Sequence, residues 1–267
     1  GLIMDSNPLE RERGITILSK NCAINYHGLD GHEYRINIID TPGHADFGGE
    51  VERVLRMADG CCLLVDSSEG VMPQTKFVLG KALEAGLRPI VVINKIDRQD
   101  QRVQDVVHEV FDLLVELGAE DYALDFPTVY AVGRDGWATR HWPLPDPKPT
   151  DLRDIFETIV REVPAPPADV EQPLQVLITN IDYSDYVGRI GIGRVFNGRI
   201  RSGQSVAVLK RDGSRVNSKA GQLLRFEGLG RTEVSVVEAG DLVAIVGLDS
   251  VDIGDTIADP EQAMALP

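Results

Sequence analysis

A proline-rich stretch, REVPAPPADVEQP at 161–173, splits the chain into two parts whose apolar residues repeat with different periods. Prolines cannot continue a helix and they stiffen the segment they occupy, so this stretch reads as a linker. Before it, apolar runs at 35–39 (RINII), 61–65 (CCLLV), 89–93 (PIVVI) and 126–131 (FPTVYA) alternate with helix-period segments. Val51, Val54, Leu55 and Ala58 recur at i, i+3, i+4 and i+7. Val103, Val107, Val110, Leu114 and Leu117 repeat the pattern, as do Leu152, Ile155, Phe156, Ile159 and Val160, with Thr150 as the expected cap. The runs at 61–65 and 89–93 are continuously apolar, as strands covered on both faces should be. This alternation predicts an α/β domain with a parallel sheet. After the linker come short β-rich runs (LQVLITNI, RIGIGRVFNGRI, SVAVL, LVAIVGL), separated by glycines and an Asp212-Gly213 turn. They predict a small closed all-β barrel. The expected boundaries are 1–163 for the first domain, 164–172 for the linker, 173–260 for the barrel and 261–267 for an exit segment.

A chain of 267 residues is long enough for two cores of this kind. No apolar run reaches membrane-spanning length, so no membrane partner is expected. Cys22, Cys61 and Cys62 are odd in number and lack metal-ligand spacing, and they read as reduced core thiols of a cytosolic protein. The net charge of −15 is unevenly placed: residues 1–172 carry 17 Lys and Arg against 30 Asp and Glu, whereas 173–260 carry 10 against 11. Bulk attraction to nucleic acid is therefore not predicted, and no DNA partner is expected. RNA contact would need a local basic face, and the candidates are Arg194, Arg199, Arg201, Lys210, Arg211, Arg215 and Lys219. A solvated mixed-charge surface is the plainer reading of the same residues.

Three of the predicted parallel strands end in polar residues, Asp40, Asp66 and Asn94. Ligands of open α/β sheets bind just beyond the carboxyl ends of strands. In NKID, Asn94 to Asp97, an amide, an ammonium and a carboxylate share one tight loop. Asp97 can accept two N–H donors from a guanine edge, and the stem of Lys95 can lie along a flat base. In DTPGH, Asp40 can hold Mg²⁺ through water. Gly43 allows close backbone approach to a terminal phosphate, and His44 sits where it can orient a water for in-line attack. In RERGITI, Thr16 offers a hydroxyl to a metal, and the polar loop before it suits a switch segment that orders around phosphate and metal. Taken singly, each motif also reads as an ordinary turn or polar terminus. A threonine-bearing loop, then DxxG, then NKxD, in that order and with the last two following strands, is the guanine-nucleotide constellation.

These residues resemble the translational GTPases, the elongation-factor group. RGITI, DTPGHADFGGEV and NKID carry the group likeness. MDSNPLERERGITILSKN, NIDYSDYVGRIGIGRV, FEGLGR and DIGDTIAD resemble its BipA/TypA branch. The resemblance implies a P-loop-NTPase-type G domain followed by a β-barrel domain II. It also implies GTP or GDP with Mg²⁺ as ligands, GTP hydrolysis as the reaction, and the ribosome, through rRNA and ribosomal proteins, as partner of a monomeric cytoplasmic protein. It assigns Mg²⁺ to Thr16 and Asp40, γ-phosphate sensing to Gly43, water positioning to His44 with Ile15 in an apolar gate beside it, and guanine selection to Asn94, Lys95 and Asp97. Two departures stand out. No GxxxxGK[ST] phosphate loop is present; it is expected upstream of Gly1 with the first strand and helix, which implies an N-terminally truncated G domain that is inactive as it stands. And Val132 and Gly133 replace the Ser-Ala pair whose backbone meets the base, so the backbone contact can remain but a hydroxyl cannot. The alternative readings are a nucleotide-free ribosome- or RNA-binding fragment, or another branch of the group, of the LepA or elongation-factor type.

Overall fold

The computed structural model describes residues 20–41 and 48–267. They divide into two compact units. One gathers Tyr26–Tyr34 and, among the described residues, 48–164; the other gathers 20–25, Arg35–Thr41 and Ala165–Pro267.

The first unit is built on a four-stranded sheet. Its strands β3 (Cys61–Asp66), β4 (Pro89–Asn94), β5 (Thr128–Val132) and β6 (Trp137–Thr139) run in that order. The first three are parallel and β6 is antiparallel to β5. The helices are α1 (Gly48–Leu55), α2 (Pro73–Glu84), α3 (Val103–Glu116), the single turn α4 (Asp121–Leu124) and α5 (Arg153–Glu162). Successive β4 side chains point to opposite faces. Val91 and Ile93 join Val106, Val110, Leu113 and Leu114 of α3. Ile90 and Val92 join Val129, Ala131 and Ala138 on the other face, with Leu152, Ile155 and Ile159 packed against them. This is why the run reads as continuously apolar.

Four expectations are corrected, beginning with the thiols: Cys22 is buried, but Cys61 is only half-buried and Cys62 is exposed. The 61–65 run is not covered on both faces: Leu63 and Val65 are buried, but Leu64 is 61% exposed. β3 lies at the end of the described sheet, and its second face meets no core cluster among the described residues. The 35–39 run is not a parallel strand of this sheet. It lies in β2 (Glu33–Asp40), which pairs with β1 (Lys20–His27) in a separate two-stranded hairpin. Local turn chemistry closes that hairpin: Gly28 N donates to His32 O (2.8 Å), His32 N donates to Asp30 Oδ1 (2.9 Å), and Gly31 takes φ +85°. Thr150 does not cap α5: the helix begins at Arg153 with Leu152 at the N-cap position and no side-chain cap, and the Arg153 N–H donates to Asp151 Oδ1 at 3.0 Å.

The second unit holds an eight-stranded antiparallel sheet of β7 (Gln175–Ser184), β8 (Gly188–Asn197), β10 (Ser205–Leu209), β11 (Arg215–Lys219), β12 (Gln222–Glu227), β13 (Gly230–Val234), β15 (Leu242–Val246) and β16 (Thr256–Ala258). Their order is β11-β10-β16-β7-β8-β15-β12-β13, and β9 (Arg199–Arg201) with β14 (Val236–Glu238) forms a separate ribbon. The expected closed barrel is therefore corrected to an open hydrogen-bonded order with β11 and β13 at its ends. Strands β9 and β14, three residues each, pair with one another rather than completing a continuous ladder. One core still unites the strands: Val176, Ile178, Val195, Ile200, Val208, Leu223, Val237, Ile245 and Ile257 belong to a single cluster. The long antiparallel β7–β8 pair comes close at Gly193, where a Cβ would lie 1.8 Å from Leu177 O, so only glycine fits.

Candidate functional site

The strand register sets the site. Asp66 lies opposite Asn94, and Asn94 opposite Ala131, so the carboxyl ends of three adjacent parallel strands come out abreast. The turn after β4 is pinned by Ile96, which is 4% exposed and sits in the α3-side core. Its neighbours Lys95 and Asp97 are thereby turned outward and exposed. Lys95 takes φ +61°, the left-handed region that a side chain enters at a penalty of about 1–3 kcal/mol. Ser67 holds it there, donating Oγ–H to Lys95 O at 2.7 Å, while Ser67 N donates to Asn94 O at 2.9 Å.

Asn94 Oδ1 accepts the Gly133 N–H at 2.9 Å. The NKID amide and the turn after β5 are thus joined directly. A Cβ at position 133 would lie 3.4 Å from that same oxygen. A base carbonyl taking the Gly133 N–H would replace Asn94 Oδ1 there. Val132 turns its side chain into the core, 2% exposed beside Ile93 and Trp137, so it can serve a ligand only through its backbone. Gly133–Asp135 form a single 3₁₀ turn that Gly136 ends at φ +73°.

Two residues at this rim had no role assigned from sequence. Asp66 Oδ1 accepts N–H from Ser68 (2.8 Å) and Glu69 (3.1 Å), and Lys95 Nζ lies 3.0 Å from Oδ2. Burial alone would raise its carboxyl, but the two N–H donors and the ammonium hold it well below the usual carboxylate range. Arg134 places Nη2 3.1 Å from Asp97 Oδ2 and Nε 3.1 Å from Asp135 Oδ1. The signal for Asp66 was its strand-end position; Arg134 lies 37 residues from its partner, a separation that no local pattern bridges.

The structure therefore brings Asn94, Lys95, Asp97, Val132 and Gly133 together. Asp40 closes β2 and is half-buried; its charge adds to burial in raising the Cys22 thiol. Ile15, Thr16, Gly43 and His44 lie outside the described residues. Among the basic candidates of the second unit, four are already engaged; Arg215 donates from Nε to Asn217 Oδ1 at 3.0 Å and from Nη2 to Pro260 O at 2.6 Å. Arg194 is 4% exposed and lies over the Phe196 ring. Lys210 Nζ sits 2.7 Å from Asp255 and 3.1 Å from Asp252, and Arg199 faces Glu171 and Glu238. Arg201, Arg211, Arg215 and Lys219 are exposed.

The family model "Elongation factor Tu GTP binding domain" matches residues 1–165, and "Elongation factor Tu domain 2" matches residues 188–258. The chain is similar to proteins named "Large ribosomal subunit assembly factor BipA". It is 54% identical over 265 residues to the one from Synechocystis sp., covering 99% of this chain and 43% of that protein. It is 51% identical to the one from Bacillus subtilis and 50% identical to the one from Salmonella typhimurium, each over 266 residues, covering 99% of this chain and 42% of the relative. The chain thus spans less than half the length of these relatives. It belongs to the elongation factor Tu GTP-binding domain family.

Proposed function

We propose that this chain is the guanine-nucleotide-binding and β-rich part of a ribosome-associated GTPase that converts GTP to GDP and phosphate, with a G domain over 1–163 and a second domain over 173–260. One observation carries the reading: Asn94, Lys95, Asp97 and the Gly133 N–H share a rim at the carboxyl ends of adjacent parallel strands. That donor set fits guanine. The Asn94 amide offers an N–H to a ring nitrogen, the exposed Asp97 carboxylate accepts two N–H donors, and Gly133 supplies an N–H for a carbonyl oxygen once Asn94 Oδ1 yields it. The strained Lys95 backbone, held from Ser67, is consistent with a position kept for a ligand.

Thr16 and Asp40 would hold Mg²⁺, which supplies charge neutralisation at the phosphates when bound. Gly43 would sense the terminal phosphate through its backbone, and His44, gated by Ile15, would orient the attacking water. The relatives' name as ribosomal subunit assembly factors supports the ribosome as partner and the cytoplasm as compartment. Arg201, Arg211 and Lys219 are the exposed cations available for rRNA.

Ribosome-stimulated hydrolysis by the protein at its full natural length tests the reading. His44→Ala should keep fluorescent-GDP binding and lower stimulated turnover by about 10²–10⁴-fold, the range of a lost proton-handling or positioning group. Equal turnover in both proteins would remove His44 from the mechanism, and absence of GDP binding by the wild type would remove the nucleotide reading altogether. Neutralising these three exposed cations should weaken ribosome co-sedimentation and flatten its salt dependence; unchanged pelleting would discard that face.

A further inference from the structure

We infer that Arg134 is a positioning residue for guanine selection, holding the Asp97 carboxylate in the plane a base edge needs. This deepens the guanine-binding reading and rests on it. Position 132 offers the rim no hydroxyl, since it is a valine, and its side chain is buried in the core. Asp97 stands on a turn with its side chain exposed, and a lone exposed carboxylate has two torsions to lose when a base arrives. Arg134 removes that freedom. Its Nη2 lies 3.1 Å from Asp97 Oδ2.

The guanidinium, on a side chain that is 76% exposed, has a second partner: Nε lies 3.1 Å from Asp135 Oδ1 on the same 3₁₀ turn. Arg134 thus spans two carboxylates, one tethering it and one being tethered, a use of its rigid fork that a lysine cannot copy. The contact takes one nitrogen to one oxygen. Among the described residues it leaves both lone pairs of Oδ1 and the second of Oδ2 for a two-donor base edge. The turn is joined to the rest of the rim by the Gly133 N–H to Asn94 Oδ1 bond. Asn94, Asp97 and Arg134 therefore form one connected frame around the base position.

Inosine diphosphate separates this role from a general packing role. It keeps the ring N–H that faces the carboxylate and lacks the exocyclic amine, so the GDP-to-IDP affinity ratio reads how well Asp97 meets both donors. Equilibrium titration of the full-length protein with GDP and IDP should show Arg134→Ala weakening GDP about two- to five-fold, the scale of an exposed ion pair. IDP should weaken less, so the ratio falls. Arg134→Lys, which can meet the Asp97 carboxylate but cannot span both, should recover only part of the ratio. Tighter GDP binding by Arg134→Ala would mean that the guanidinium competes with the base, and equal weakening of GDP and IDP would mean that it only supports the turn; either overturns the inference. Asp97→Asn is the control for the underlying reading. If it fails to move preference from GDP toward xanthosine diphosphate, guanine selection by Asp97 fails, and with it this inference. If it does move preference while the Arg134 variants leave the GDP-to-IDP ratio intact, only the inference about Arg134 fails.

Discussion

Asp66 is where the site's rigidity can be weighed. Its Oδ1 accepts N–H from Ser68 and Glu69 and the Ser68 hydroxyl, while Oδ2 faces Lys95 Nζ at 3.0 Å. The carboxylate is 12% exposed and Lys95 57% exposed. The two oxygens therefore do separable work. Replacing Asp66 with alanine removes both. Hydrogen bonds to a charged group contribute about 1.5–3 kcal/mol each. With the lower end taken for two loop N–H groups that regain water, the turn loses about 3 kcal/mol. The half-exposed ion pair adds at most about 1 kcal/mol after solvent screening. Asp66→Ala should thus lower unfolding free energy by about 3–4 kcal/mol. Asp66→Asn keeps an acceptor for the turn and loses chiefly the charge, so the loss should be about 1–2 kcal/mol. Urea unfolding of the three proteins reads the difference. The pH dependence adds a second check. The folded-state carboxyl lies below its ordinary value of 3.8, so its contribution is present above that value and is lost as pH falls through the lowered one. The gap between wild type and Asp66→Asn should be full above about pH 5 and shrink below about pH 4. Equal losses for the alanine and asparagine variants would refute the division of labour between the two oxygens.

The second unit offers two sharper tests. Lys210→Met strands Asp255, which is 1% exposed and otherwise meets the Asp252 N–H at 2.7 Å, so stability should fall by about 3–5 kcal/mol as for a broken buried pair; a loss under about 1 kcal/mol in thermal unfolding would contradict it. Burial would lower the Lys210 ammonium, but Asp255 and Asp252 raise it above its ordinary value of 10.5, so the wild type's advantage over Lys210→Met should persist at neutral pH and fade only as pH climbs through that raised value. Gly193→Ala puts a methyl 1.8 Å from Leu177 O and should disrupt the β7–β8 pairing, seen as loss of amide exchange protection along both strands; retained protection would refute the close approach.

The parallel sheet was legible because β4 is covered on both faces, and a doubly covered strand writes an uninterrupted apolar run such as PIVVI. The same inference misled at CCLLV, since apolar residues mark what a strand could bury and not what lies against it: Leu64 is apolar and exposed. Hairpin β1–β2 was hidden for a different reason. Alternation shows that RINII is a strand but not which strand it meets, and the Gly28–Gly31 turn resolves that locally. Barrel closure depends on a hydrogen-bond order that no single strand encodes. In the site, NKID was readable as a motif because its chemistry sits on four consecutive residues. Asp66 and Arg134 were not assigned, because their roles exist only once strand register and the 3₁₀ turn bring distant positions within 3.1 Å of Lys95 and Asp97. Charge patterning misjudged Arg194 and Lys210 likewise: a basic residue in a β run does not declare whether it faces solvent or a buried partner.

The account turns on whether the rim shared by Asn94, Asp97 and Gly133 holds a guanine. Competitive titration of wild type and Asp97→Asn with GDP and xanthosine diphosphate measures this directly, since the swap of carboxylate for amide replaces an acceptor with a donor facing the base. The account predicts that the wild type prefers GDP by at least about tenfold and that the variant reverses the order. Unchanged preference in the variant, with GDP still bound, would place the base somewhere other than this rim.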